Sequence, residues 1–214
     1  MGRVGKPFDP HCRRCARLAA HLDAIRREYP DYHCAPVPSF GSAHCRLLVV
    51  GLAPGQHGAN RTGRPFTGDH AGVLLYRTLH QFGFASRVAS ISRRDGLRLV
   101  GCRITNAVKC LPPGNRPLSA EVQQCNPYLE AELAALGEDG VVVALGAIAH
   151  GAVLRAAGLV PRAARFAHGS EHTLPGGRRL LDSYHCSRLN TNTGRLTPAM
   201  FRRIFARARH LLAA

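Results

Sequence analysis

Eight cysteines and three polar strand ends are the residues of this 214-residue chain whose types and spacing point to chemistry. Cys12 and Cys15 form the one close CxxC pair, and Cys110 and Cys125 flank a proline-rich turn with fourteen residues between them. Without a recognisable export signal, such thiols serve metal or cluster ligation more readily than disulfides. A zinc site more often shows two close pairs, whereas four thiolates from distant segments also suit an iron–sulfur cluster, so both readings stand at this point. Cys34 and Cys45 read as ordinary buried or free thiols.

A second concentration of functional groups lies in residues 46–72, RLLVVGLAPGQHGANRTGRPFTGDHAG. Gly51, Gly55, Gly58, Gly63 and Gly68 permit close backbone approach to a ligand, and Asn60, Arg61, Arg64 and Thr67 add polar donors. The loop holds one aromatic ring, Phe66, read as exposed, and one acid, Asp69. Neither a Walker ending nor a GxGxxG spacing is present, so the commonest nucleotide-phosphate loops are excluded. The Phe-Thr-Gly-Asp ending favours a pocket that stacks and hydrogen-bonds a planar ring over a string of mere turns. Two further polar groups sit at the ends of apolar runs: Asn106 in CRITNAV and His185 in YHCSRLNTNTGRLT. Alone, such an asparagine is more often a turn former and such a histidine structural. Three polar ends together argue for a shared site.

These groups need a scaffold that gathers them. Leu47 to Val50, Cys102 to Val108, Gly140 to Leu145 and Leu180 to Ser183 read as strands. Helical periodicity starts at Gly72 and continues through Leu75, Leu79 and Phe82; it recurs from Ser119 to about Leu136 and from Gly146 to Ala157. Ser119 is the expected N-cap of its helix, and Pro127 should kink or restart it. Further helices are expected over His11 to Tyr29, with both cysteines in its first turn, and over Thr197 to Leu212. Residues 1–10 read as a disordered basic tail, 11–214 as one domain, and Gly83 to Gly101 as a surface excursion. Alternating strands and helices imply an α/β fold with a mainly parallel sheet, helices on both faces, and ligands at the carboxyl ends of the strands.

Twenty-nine Lys and Arg against thirteen Asp and Glu give a formal net charge of +16. That excess points to a polyanion such as nucleic acid. A GC-rich genome would explain the abundance of arginine, but it explains the shortage of acids less well. No run of eighteen apolar residues and no apolar leader occurs, so a soluble cytoplasmic protein without a membrane partner is expected.

GLAPGQHGANRTGRPFTGD, TNAVKCLPPGNRP and YHCSRLNTNTGRLTP resemble the signature segments of the family 5 uracil-DNA glycosylases. The resemblance runs from the CxxC pair to the last helix. It implies a three-layer α/β/α sandwich and a four-iron four-sulfur (4Fe-4S) cluster on Cys12, Cys15, Cys110 and Cys125. It also implies excision of uracil and other deaminated bases from DNA, by a monomer associated with the nucleoid. Carried over residue by residue, it makes Phe66 stack on the flipped base and Asn106 hydrogen-bond its Watson–Crick edge. His185 would face the leaving base's carbonyl oxygen, and Asp69 would serve the water or the sugar cation. Gly51, Ala53, Pro54 and Gly55 with Ser187, Arg188 and Leu189 complete the implied substrate-binding set, Arg188 or Leu189 being the candidate wedge. Other branches of the superfamily place an acid or amide directly after the first strand, where this chain has Leu52 and Ala53.

One departure stands out. His185-Cys186-Ser187 replaces the family's His-Pro-Ser, which removes a fixed φ from a loop that must press on the DNA backbone. A Cys–His nucleophile is disfavoured there, because the family pattern explains the position without it. The alternative function is a non-catalytic iron–sulfur protein that binds nucleic acid. A zinc-dependent deaminase lacks its HxE with CxxC arrangement.

Overall fold

The runs 47–51 and 141–145 carry no polar side chain, as strands covered on both faces must. The computed structural model, which describes residues 6–213, places both at the centre of one sheet. In chain order the elements are α1 (Ala16–Glu28), β1 (Phe40–Gly41), β2 (Leu47–Gly51), α2 (Ala59–Thr62), α3 (His70–Gln81) and β3 (Cys102–Asn106). There follow α4 (Ser119–Ala134), β4 (Val141–Leu145), α5 (Ala147–Ala156), β5 (Glu171–Thr173), β6 (Arg179–Ser183), α6 (Arg188–Asn192) and α7 (Pro198–Ala213). The six strands lie in the order β1-β3-β2-β4-β6-β5. The four central strands run parallel, and the short edge strands β1 and β5 pair antiparallel.

Side chains alternate across the sheet with period two. Leu47, Val49, Val141 and Val143 meet Leu75 and Leu79 of α3 and Phe201 and Phe205 of α7 on one face. Leu48, Val50, Val142 and Ala144 meet Leu129 and Leu133 of α4 and Ala149 and Val153 of α5 on the other. The fold is therefore a single domain in three layers, as expected. Register sets the functional edge: Gly51 pairs with Asn106 and Leu145 with Ser183, so the carboxyl ends of the parallel strands finish level.

Several local readings are corrected. Helix α1 begins at Ala16, so Cys12 and Cys15 precede it, and Cys15 holds an extended N-cap conformation. Ser119 is already helical. The end is capped instead by Glu121, which accepts the Leu118 N–H at 2.7 Å, half of a capping box displaced by one residue. Helix α4 continues through Pro127 rather than restarting, with Cys125 before the proline and Tyr128, Leu129 and Leu133 after it all buried. Residues 1–5 of the basic tail lie outside the described residues. Its remainder is attached: the Lys6 N–H donates to the Pro127 carbonyl at 3.0 Å, and the Phe8 ring meets Tyr128 edge-on at 5.8 Å. Among the described residues no helix is long and apolar enough to cross a membrane.

Candidate active site

The loops after β2, β3 and β6 share one cavity of about 550 Å³, a size usual for small-molecule sites. Ala53, Gly55, Phe66 and Asp69 line it from the loop after β2, and Asn106 from the end of β3. His185, Ser187, Arg188 and Leu189 line it from the segment after β6. Gly51 and Pro54, expected among them, are buried and outside the wall. Gly51 acts from behind: a Cβ there would stand 2.4 Å from Asn106 Oδ1 and 2.6 Å from Phe66 Cζ. Only glycine lets that ring and that amide close over the strand end.

Phe66 is not exposed, in contrast to its sequence reading. It is 5% accessible, adopts a left-handed φ of +54°, and stacks on the His185 imidazole with centroids 5.9 Å apart and planes 27° from parallel. A conformation that L side chains rarely adopt persists only where its surroundings enforce it. Here the Tyr76 hydroxyl donates to the Pro65 carbonyl at 2.8 Å, and Thr67 Oγ1 lies 2.7 Å from Ser90 Oγ. Arg64 donates to Asp95 Oδ1 at 2.8 Å, Ser90 Oγ at 3.0 Å and the Arg93 carbonyl at 2.6 Å. The stretch after α3 is thus a clasp on the Phe66 loop. Burial opposes ionisation of Asp95, but the Arg64 hydrogen bond together with the N–H groups of Leu97, Ile91 and Ser92 outweighs it and holds the carboxyl well below the usual carboxylate range.

Three polar groups face the cavity in distinct states. Asn106 is 4% accessible, and its Oδ1 is buried without a hydrogen-bond partner among the described residues. Desolvation lowers the His185 imidazole to about 4, so at neutral pH the ring is uncharged. Desolvation raises the Asp69 carboxyl, against the lowering effect of the Gly72 N–H, which it accepts at 2.9 Å as the N-cap of α3. Gly58 leaves room for that carboxylate, since a Cβ there would lie 2.6 Å from Asp69 Oδ2. His70 Nε2 lies 3.1 Å from Thr191 Oγ1 and ties the start of α3 to α6, while Asn190 Nδ2 donates to the His185 carbonyl at 2.8 Å.

The cavity also includes Leu52, Ala59, His70, Ala71 and Asn115, which sequence reasoning left out of the site. Asn115 has φ +57° in the LPPGNRP turn; its Gly-Asn pair was the signal that a left-handed turn would project a polar side chain. Leu189 projects from the rim at 73% accessibility.

The family model of the uracil DNA glycosylase superfamily matches residues 38–209. The chain is 48% identical to the "Type-5 uracil-DNA glycosylase" of Thermus thermophilus, over 94% of this chain and 93% of that protein. It is 47% identical to the one so named from Mycobacterium leprae, over 94% and 91% of the two chains. The one from Pyrobaculum aerophilum is 43% identical over 92% and 88%. The chain belongs to the type-5 uracil-DNA glycosylases.

Within this type-5 chain the four implied cluster cysteines come together. Cys12 and Cys15 ahead of α1, Cys110 after β3 and Cys125 in α4 line one small cavity with Leu18, Val108 and Tyr128. Burial, then the neighbouring thiols, push Cys110 up to about 12; burial likewise takes Cys125 to about 11. Burial also raises Cys12, but hydrogen bonds with Tyr128 and Arg14 more than offset it, and its net shift is downward. The Lys109 N–H donates to Cys125 Sγ at 3.3 Å and Arg14 Nε to Cys12 Sγ at 3.5 Å. Four thiols gathered from three segments, two of them accepting N–H bonds, offer a ligand set for a metal ion or cluster.

Cys186, the residue in place of the family's proline, is fully buried. Burial and then the Asp69 charge push its thiol far up, so it is no thiolate nucleophile.

Proposed function

We propose that this chain removes uracil and other deaminated bases from DNA by hydrolysis of the N-glycosidic bond, leaving an abasic site for base excision repair. The observation that carries the reading is the buried, unpartnered Oδ1 of Asn106 beside the Phe66 ring. An amide left half-satisfied in a pocket is costly unless a ligand completes it. Deamination converts the ring edge of cytosine from an acceptor nitrogen and an amino group into an N–H and a carbonyl. That edge matches Asn106, whose Oδ1 accepts the N–H and whose Nδ2 donates to the carbonyl. Uracil, hypoxanthine and xanthine share it, and cytosine does not.

The base leaves the stack and enters against Phe66, with Leu189 or Arg188 filling the gap it vacates. Bond cleavage builds positive charge on the sugar and negative charge on the base. Asp69, as its carboxylate, stabilises the sugar cation and orients the water that adds to it. His185, neutral, donates a hydrogen bond to the departing base's carbonyl oxygen, an interaction that strengthens as the charge grows. The +16 charge supplies phosphate affinity. Cys12, Cys15, Cys110 and Cys125 would hold a 4Fe-4S cluster, which ties the segment before α1 to the 110–125 stretch as a structural cross-link. The protein acts as a cytoplasmic, nucleoid-associated monomer.

The test is incubation with duplexes that carry uracil, hypoxanthine, xanthine or cytosine at one position, followed by alkaline cleavage. Strand breaks at the first three and none at cytosine are expected. Tight binding of the uracil duplex without any abasic site would instead establish the non-catalytic alternative.

A further inference from the structure

His150, His172 and Asp182 form a second cluster of potential ligands that plays no part in the cavity or the cysteine site. They come from α5, β5 and β6, and their ligating atoms lie within 4.8 Å of one another. Asp182 is fully buried and His150 is 3% accessible, while the His172 side chain is 21% accessible. His150 Nδ1 lies 2.8 Å from Asp182 Oδ1, and His172 Nε2 lies 3.2 Å from Asp182 Oδ2.

The other nitrogen of His150 decides what that contact requires. His150 Nε2 lies 3.0 Å from the Ala164 carbonyl. A carbonyl only accepts, so Nε2 carries a proton. In the neutral ring Nδ1 then presents a lone pair to a buried carboxylate oxygen, and two acceptors face each other. A proton or a metal ion must lie between them. Metal-bound histidines characteristically donate their remote N–H to a backbone carbonyl, which fixes the tautomer. The Phe166 ring stands edge-on to His150 at 5.7 Å.

We propose that His150 Nδ1, His172 Nε2 and a carboxylate oxygen of Asp182 bind a first-row divalent metal ion of the zinc kind, at a site separate from the cysteines. Ligand bonds of about 2.0–2.1 Å in tetrahedral geometry separate neighbouring ligand atoms by about 3.3 Å. The observed contacts are 2.8 Å to Oδ1 and 3.2 Å to Oδ2, and one ligand atom from each residue lies within 4.8 Å of the others, so small side-chain shifts bring all three to that spacing. Access is from the side of His172, where water completes the coordination. The ion ties the three-residue edge strand β5 and helix α5 to β6, whose end at Ser183 leads directly to His185. The site is structural and braces the strand that delivers a pocket residue.

The purified protein, equilibrated with Zn²⁺ and freed of excess by dialysis, is assayed for zinc per chain by mass spectrometry, beside His172→Ala and Asp182→Asn. His172→Ala is the safer variant, since its side chain sits at a partly exposed edge. One zinc per chain should be retained by the unmodified protein and lost from both variants. Zinc at about a hundred times its dissociation constant should raise the unmodified protein's melting midpoint by about 5 to 10 °C and leave that of His172→Ala unmoved. Co²⁺ in place of zinc should give ligand-field bands without thiolate-to-metal charge transfer, which separates this site from the cysteines. Equal zinc in His172→Ala and unmodified protein, no retained zinc at all, or a cobalt spectrum dominated by thiolate charge transfer would each overturn the proposal. None of these readouts depends on base excision.

Discussion

Asp69 caps a helix and is proposed to act on the substrate, and two substitutions separate these roles. Its Oδ1 caps α3 by accepting the Gly72 N–H at 2.9 Å, and its carboxylate faces the cavity. Desolvation raises its folded-state pKa above the usual value of about 4. The sign follows: with the folded value raised, folding favours the protonated acid. The stabilisation is complete below the unfolded pKa and is lost as pH rises through the folded one. Ionisation of Asp69 therefore weakens the fold. Asparagine caps as well as aspartate, so Asp69→Asn removes the charge and keeps the cap. Its melting midpoint at pH 7 should equal or exceed that of the unmodified protein, and the gap should close as pH falls toward 4. Asp69→Ala loses the cap, worth about 1 kcal/mol or about 2 to 4 °C in a chain of this size. Both should slow single-turnover uracil excision by about 100- to 1000-fold, or about 2.7–4 kcal/mol of transition-state stabilisation. Paired calorimetry and rapid-quench excision supply the two numbers. If the asparagine protein melts as low as the alanine protein and excises near the normal rate, Asp69 is neither the cap nor the acid described.

Arg64→Ala should destabilise the fold by about 3–5 kcal/mol, because it strands the buried Asp95 carboxylate; chemical denaturation measures this, and a loss under 1 kcal/mol would refute the clasp on the Phe66 loop. Protein purified without oxygen should be brown, with broad iron–thiolate absorption at roughly 400 nm, and Cys125→Ala should lose the colour together with its iron; colourless protein with stoichiometric zinc on the cysteines would refute the cluster. The logarithm of DNA affinity should fall steeply and linearly with that of salt concentration, and a flat dependence would refute phosphate contacts as the main source of binding.

The central strands were legible because burial on both faces leaves an uninterrupted apolar run, as in β2 and β4. The edge strands β1 and β5 were not, since two and three residues carry no periodicity and exist through pairing with β3 and β6. Asn106 and His185 were expected to share a cavity because a parallel sheet brings its strand ends together, and both line its wall. Phe66 was misread because its burial depends on Gly51, His185 and the Arg64–Asp95 clasp, all contacts distant in sequence or set by the loop's fold. Cys12 and Cys15 continue the helical spacing of α1 yet lie outside it, since spacing alone does not mark where backbone hydrogen bonding begins. His150, His172 and Asp182 belong to no motif, and only the packing of α5 on β6 and β5 unites them.

In the proposed reaction Asp69 and His185 act on opposite ends of one breaking glycosidic bond. Single-turnover release of free uracil, measured by mass spectrometry alongside abasic strand, tests it with the unmodified protein, Asp69→Asn, His185→Ala and the double variant. The unmodified protein should release uracil and abasic strand in equal amounts, each single variant should be about a hundredfold slower or more, and the double variant slower still. Uracil release by the double variant at near the unmodified rate would mean that other residues break the bond.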